Sequence, residues 1–186
     1  IYYDNGEIWQ KGTFKDGKLD GENIIYHSNG EIWQKGTFKD GELDGEGISY
    51  YDNGKIWEEG TFKHDKLQGE GKIYYKNGQV KEEGTFKDGR LNGEGKKYWS
   101  NGNWREGIFE NGTLIKGRWY KKNGTVWMEG TYNKDGNLKE GKWYNDNGKK
   151  MAEGTFKDHE LNGEGKIYYE NGKVEKEGTF KDGKLD

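Results

Sequence analysis

Histidines, glutamates and a cluster of tryptophan and arginine are the residues in this chain whose types could do chemistry. His27, His64 and His159 stand far apart in the sequence. A catalytic histidine needs an orienting partner and a nucleophile, and no such set accompanies any of them. His64 and His159 replace Asp or Gly at a recurring turn and read as solvated turn residues. Glu59, Glu83, Glu106, Glu129, Glu153 and Glu177 each directly precede a glycine. A row of acids could supply a glycosidase pair, but lysines such as Lys72 and Lys166 fall where they would face these acids across strands, and ion pairing on a sheet surface is the better account. Asn133, Asp135, Asn137 and Glu140 superficially imitate a calcium loop, yet their spacing falls short of the twelve-residue EF-hand and lacks its terminal Glu. The expectation is a chain without catalytic residues, metal site or cofactor, and not an enzyme.

Binding chemistry is better represented. Five of the eight Trp, namely Trp99, Trp104, Trp119, Trp127 and Trp143, and all of Arg90, Arg105 and Arg118 lie within residues 90–143. Trp, Tyr and Arg dominate interface energetics because they offer large contact area and planar hydrogen bonding at small entropy cost. The candidate binding set is therefore Trp99, Trp104, Arg105, Arg118, Trp119, Tyr120, Trp127, Trp143 and Tyr144. The same stretch has lost one residue near Trp104 and another near Thr113, so tryptophans that merely plug the resulting gaps are the competing explanation.

What positions these residues is a repeat of about two dozen residues written eight times. Its last copy, Gly163 to Asp186, reads GEGKIYYENGKVEKEGTFKDGKLD. Asn-Gly recurs at Asn5-Gly6, Asn29-Gly30, Asn53-Gly54, Asn77-Gly78, Asn101-Gly102, Asn123-Gly124, Asn147-Gly148 and Asn171-Gly172. Asp-Gly follows GTFK at Asp16-Gly17, Asp40-Gly41, Asp88-Gly89 and Asp182-Gly183, with His64-Asp65 and Asp158-His159 as substitutes. Both dipeptides suit two-residue type I′ turns, which need positive φ at both central residues. Two turns per copy predict about sixteen short antiparallel strands, an all-β array of hairpins in one elongated, twisted meander sheet. Helix is excluded by the frequency of glycine, which costs about 1 kcal/mol per residue against Ala in a helix. The whole of residues 1–186 reads as one repeat domain, because a fixed period in this range marks an array whose units bury their apolar faces on neighbours.

Apolar positions alternate with period two. Val80, Gly84 and Phe86 fall on one face and Lys81, Glu83, Thr85 and Lys87 on the other. A two-residue turn at Asn77-Gly78 would pair Tyr75 with Val80, Tyr74 with Lys81 and Lys72 with Glu83. That register puts the recurring tyrosine, Tyr74 among its copies, on the charged face beside Trp9, Trp33, Trp57 and Trp127, so either that face carries an aromatic ladder or a bulge changes the register there. Phe86 is expected to lie across Gly69, Gly71, Gly84 and Gly93, with Leu91 beside it.

Counting the 33 glycines with the 28% of hydrophobic residues brings the apolar fraction to about 46%, inside the range of ordered domains. The formal net charge is −3, with both signs alternating along the chain, which argues against nucleic acid, whose binding rests on clustered Lys and Arg. The absence of Cys excludes disulfides and thiolate chemistry. Ile1 opens in mid-repeat without an initiator Met, so a leader or further repeats are expected to precede it. The reading favours the cytoplasm, with a cell-surface or secreted setting if a leader is missing. The outer strands, in consensus repeat sequence without a polar cap, are expected to support end-to-end self-association.

The alternation EGTFKDGKLDGEGKIYYENG resembles the MORN repeat, and the period of 24 with the spelling YYxNGxxxxEGTFKDG resembles the bacterial variant of the YwqK-type antitoxin family. The resemblance spans the chain and departs most at GIFENGTLIKG. It implies stacked β-hairpins used for protein or lipid contacts, with no family catalytic residues to carry over. The reading that follows is a non-enzymatic scaffold binding a protein partner, an antitoxin that covers a toxin being one form of it. The rival is a carbohydrate- or choline-binding surface module, because GRWYKKNG and GKWYNDNG also resemble aromatic cell-wall-binding repeats, whose rings stack on sugars or cage choline. Lipid headgroups come third, since they would favour more positive charge.

Overall fold

Residues 1–186 are described by a computed structural model, and their regular structure is entirely strands. The strands are β1 (Gln10–Lys15), β2 (Lys18–Tyr26), β3 (Ile32–Lys39), β4 (Glu42–Tyr50), β5 (Ile56–Lys63), β6 (Lys66–Tyr74), β7 (Val80–Lys87) and β8 (Arg90–Tyr98). They continue with β9 (Trp104–Glu110), β10 (Thr113–Tyr120), β11 (Val126–Tyr132), β12 (Leu138–Tyr144), β13 (Lys150–Lys157), β14 (Glu160–Tyr168), β15 (Val174–Lys181) and β16 (Lys184–Leu185). They follow one another in chain order in one open antiparallel sheet, the hairpin meander that the turn spacing predicts. By its internal packing the chain divides into two compact units, Ile1–Asn92 and Gly93–Asp186.

The two kinds of turn differ. Asp-Gly turns are of type I′, with Asp16 at φ 49° and Gly17 at 77°. His64 (49°) with Asp65 (61°) and Asp158 (50°) with His159 (69°) hold the same geometry without glycine, a strained choice for non-glycine residues. The Asn-Gly turns are not of this type. Gly78 N–H donates to the Tyr75 carbonyl at 2.8 Å and Tyr75 N–H to the Gln79 carbonyl at 2.9 Å. Only Gly78 is left-handed, at φ 90°. This is a three-residue loop built on a type I turn and closed by a left-handed glycine. Asn77 serves through its side chain, whose Oδ1 accepts from the Gln79 N–H at 2.9 Å.

That loop corrects the simple register. Tyr74 faces Val80 rather than Lys81, Ile73 faces Glu82, and Lys72 faces Glu83 as expected. The one-residue bulge at Lys81 absorbs the offset of the longer loop, so pairing downstream is restored. Trp33 and Trp57 occupy the same bulge position, between the pairs Ile25–Gln34 and Tyr26–Ile32 and between Ser49–Glu58 and Tyr50–Ile56. The tyrosine stays on the charged face, as Tyr74 shows by donating to Glu59 at 2.5 Å. The tryptophan does not stay with it, for Trp127 shares a recess with Met128, Leu138 and Phe156.

The apolar face is built on a ladder. Phe38 faces Leu43 and Phe62 faces Leu67 in the first unit, and Phe109 faces Leu114 and Phe156 faces Leu161 in the second. All of these side chains are buried. Next to the ladder runs a row of glycines: Gly36, Gly47, Gly60, Gly71 and Gly84 face one another in the first unit, and Gly107, Gly117, Gly130, Gly141, Gly154 and Gly165 in the second. Gly71 is covered by Leu67, whose Cδ2 lies 2.9 Å from where a Cβ would stand. Leucine is thus the residue on this part of the glycine row, while Phe86 faces Gly69.

Candidate functional site

One row of side chains lies beside the glycines on the apolar face, and its filling differs between the units. In the first unit the row runs Gln34, Ser49, Glu58, Ile73 and Glu82. Gln34, Ser49 and Glu82 are buried there, and Gln34 Nε2 donates to Ser49 Oγ at 3.4 Å. Burial pushes the Glu58 carboxyl up to about 7; Lys81 counteracts this and Glu82 adds to it. In the second unit the row runs Arg105, Trp119, Met128, Trp143, Ala152 and Ile167.

The shortened repeat explains how Arg105 came to this row. β8 and β9 pair without a register shift, Tyr98 facing Trp104 and Lys97 facing Arg105. The residue missing near Trp104 is the bulge residue of the other copies. Without it Trp104 joins the charged face and Arg105, half-buried, takes the position that Gln34, Glu58 and Glu82 hold elsewhere. The deletion near Thr113 shortens the segment between Leu114 and Gly117, which is one residue briefer than that between Leu67 and Gly71.

Arg105 is enclosed by rings. Its guanidinium carbon lies 3.7 Å from the Trp119 ring centroid, 5.3 Å from that of Trp99 and 5.9 Å from that of Tyr132. Trp119 is 4.6 Å from Trp127 and 6.0 Å from Trp99, centroid to centroid. Gly136 makes room for the arginine, because a Cβ there would stand 3.1 Å from Arg105 Nη1. Burial lowers the Arg105 pKa, an effect the Tyr132 hydroxyl opposes. Arg105 Nε and Trp119 Nε1 are both buried without a hydrogen-bond partner. Beyond Trp127 a recess of about 560 Å³ opens among Trp127, Trp143, Ala152, Phe156, Leu161 and Ile167, with His159 and Lys121 at its margin.

The opposite face is internally satisfied. Glu129 accepts from Arg118 Nε at 3.2 Å, Lys142 Nζ at 3.0 Å and the Tyr144 hydroxyl at 2.8 Å. Partial burial disfavours its charge, but these donors outweigh that and hold its pKa below the usual carboxylate value. Tyr120 donates to Glu106 at 2.6 Å and stacks on Trp104 at 4.7 Å with rings 7° from parallel. The glycine row leaves shallow troughs here, about 510 Å³ among Lys11, Gly36 and Glu46 and about 470 Å³ among Gly117, Arg118 and Glu129.

The nine candidate residues therefore do not form one patch. Trp99, Arg105, Trp119, Trp127 and Trp143 gather on the apolar side, whereas Trp104, Arg118, Tyr120 and Tyr144 stand on the charged side. Sequence reasoning missed Tyr132 and Gly136. The signal was present in GTYNKDG, where Tyr replaces the usual Phe and the turn is longer by one residue, Tyr132 facing Leu138 where Phe62 faces Leu67. Asn133 is a turn residue whose Oδ1 accepts from the backbone N–H groups of Asp135 and Asn137, each at 3.0 Å.

A family model described as a MORN repeat variant matches residues 1–16, 19–40, 43–64, 67–88, 138–158 and 161–182. A second, for the MORN repeat, matches residues 83–104. Residues 105–137, which contain Arg105, Trp119, Trp127 and Tyr132, lie outside these matches. No curated protein matches the chain.

Proposed function

The chain belongs to the MORN repeat family, and from that membership we propose that it is a non-enzymatic scaffold that binds a protein partner through the apolar face of the unit Gly93–Asp186. MORN repeats are in general protein- or membrane-binding modules, and the family is non-catalytic. The observation that carries the choice of face is the pair of buried donors without acceptors, Arg105 Nε and Trp119 Nε1. A buried donor left unpaired is unfavourable, and a partner whose arrival shifts the enclosing rings can bring it an acceptor; Asn23 Oδ1 and His27 Nε2 of the first unit are unpaired as well. On the charged face the corresponding groups already serve one another, as the three donors on Glu129 do.

An antitoxin or immunity-type role is the finer form of this proposal. Blocking a toxin requires a complementary surface and no chemistry, which fits a chain whose histidines stand apart. The choline-binding alternative is less well supported, because Arg105 itself occupies the ring surface of Trp119 that a quaternary ammonium would use. The test is co-expression with a toxin encoded beside this gene. Growth should be rescued by the intact chain and lost with Trp119→Ala combined with Trp143→Ala, while Arg118→Ala on the other face retains rescue. Rescue that depends on Arg118 and not on the tryptophans would reverse the choice of face, and no rescue at all would remove the antitoxin form.

A further inference from the structure

Resting on that reading, we propose that the apolar face of the second unit recognises an acidic peptide segment of its partner. A carboxylate is held at Arg105, and a neighbouring apolar side chain is seated in the recess between Trp127 and Trp143. Arg105 makes no ion pair, although it is a cation in a half-buried position surrounded by rings. Four acids of this unit are engaged elsewhere: Glu106 with Tyr120 and Lys96, Glu129 with Arg118, Lys142 and Tyr144, Glu153 with Lys150, and Asp146 with Lys121. Stacking on Trp119 fixes the plane of the guanidinium. A planar donor fork held in that way favours a carboxylate, which it can engage with two parallel hydrogen bonds.

The apolar half of the site is continuous with the charged half, since Trp127 lies 4.6 Å from Trp119 and also lines the recess. Charge complementarity selects this unit over the other. The equivalent row of the first unit carries two acids, Glu58 and Glu82, whereas this row carries Arg105 and no acid among Trp119, Met128, Trp143 and Ala152; Asp146 and Glu160 also line the recess, Asp146 paired with Lys121.

The experiment uses the full chain and two capped peptides, Ac-Leu-Asp-Phe-NH2 and Ac-Leu-Asn-Phe-NH2, with the indole N–H resonance of Trp119 as readout, assigned through Trp119→Phe. The Asp peptide should shift that resonance saturably with a Kd on the order of 1 mM, and the Asn peptide should bind roughly tenfold more weakly, as expected for loss of a charge-assisted contact. Arg105→Met should abolish the preference for Asp, and Trp143→Ala should weaken both peptides alike. Should Arg105→Met not fold, the salt dependence of the intact chain decides: added NaCl should weaken the Asp peptide and spare the Asn peptide. Equal binding of the two peptides, an unmoved Trp119 resonance, or a response only to phosphatidylglycerol–phosphatidylcholine vesicles would overturn the proposal, the last in favour of a membrane. Partner binding that survives Arg105→Met but fails in Trp119→Ala plus Trp143→Ala sinks only the carboxylate contact. Partner binding indifferent to every substitution on this face sinks the scaffold reading itself.

Discussion

The units Ile1–Asn92 and Gly93–Asp186 share the Phe–Leu ladder, the glycine row and the type I′ turns, but they spend their tryptophans differently. In the first unit Trp9, Trp33 and Trp57 are 38%, 40% and 39% exposed, and each meets a single ring, that of Tyr3, His27 or Tyr51. In the second, Trp99, Trp119 and Trp127 pack on one another and on Arg105. One deleted bulge residue contributes to the difference, because it places Trp104 on the charged face and Arg105 in the row beside the glycines, where Trp119 and Trp143 stand in positions such as those of Ser49 and Ile73. The skeleton is common to both units, and the side chains in a single row beside the glycines set them apart.

The largest effect should come from the part the units share. Alanine at Gly130 would drive its Cβ into the Glu140 carbonyl oxygen, and at Gly60 into that of Glu70. Backbone cannot yield as a flexible side chain does, so Gly60→Ala and Gly130→Ala should each cost more than about 3 kcal/mol in denaturant unfolding, given the strain of a left-handed φ added to a clash. Gly178→Ala meets only the end of Leu185, at 3.1 Å, and should cost about 1 kcal/mol for the same backbone conformation. A mild Gly60→Ala beside a severe Gly130→Ala would mean that the two units do not rest on the same glycine row.

Second in size is the packing of the ring cluster. Trp119→Ala should lower stability by about 3 kcal/mol, as for other emptied aromatic sites, while Trp33→Ala, at a 40% exposed position, should cost less than about 1 kcal/mol. Equal losses would show that the second unit's tryptophans are packed no more closely than the first's.

Most of the skeleton was legible in the sequence, for a physical reason. Asp-Gly and Asn-Gly report on backbone conformation directly, and alternation of side chains reports on faces, so the strands and the burial of Phe86 and Leu91 on one face follow from spacing alone. What spacing does not carry is the length of a loop in space. Asn77-Gly78 reads as a two-residue turn, yet Asn77 spends its side chain on the Gln79 amide and leaves the left-handed conformation to Gly78. The compensating bulge at Lys81 is equally silent. For the same reason the composition of the Trp and Arg cluster was visible and its division between two faces was not. A single deleted residue decides whether Trp104 or Arg105 faces inward, and only pairing shows which.

The third effect is one of pH and belongs to the first unit. Burial raises the Glu58 carboxyl from 4.5 to about 7, so the folded chain binds a proton there more tightly than the unfolded chain does. Stability from this group is complete below about 4.5 and is lost as pH rises through about 7. After allowance for partial exposure the loss should be about 1 to 2 kcal/mol. Melting temperature should fall across that window, and Glu58→Gln should flatten the fall. Met128 in the corresponding row of the second unit cannot titrate, so Met128→Leu should leave the pH profile unchanged. A profile unaffected by Glu58→Gln would show that the Glu58 carboxyl is not desolvated as its position implies.

The smallest effect has the opposite sign and sharpens the contrast between the faces. The donors on Glu129 hold its pKa below the ordinary carboxylate value, so its contribution is present above the unfolded pKa and disappears as pH falls through the depressed one. The group is partly exposed and its partners Arg118 and Lys142 are more so. Exposed pairs of this kind contribute between about 0 and 1 kcal/mol and are screened by salt. Lys142→Ala should therefore cost only a few tenths of a kcal/mol near neutral pH, and less in high salt, because Arg118 and Tyr144 still serve the carboxylate. Glu129→Gln leaves those donors with a weaker acceptor and should cost more than Lys142→Ala, with the difference vanishing in acid. Chemical denaturation of the two variants at neutral and acidic pH, in low and high salt, measures both trends. A cost for Lys142→Ala that exceeds about 1 kcal/mol, or that ignores salt, would mean that the charged face is not a set of mutually satisfied surface pairs. A partner would then have as much reason to dock on the charged face as on the apolar one.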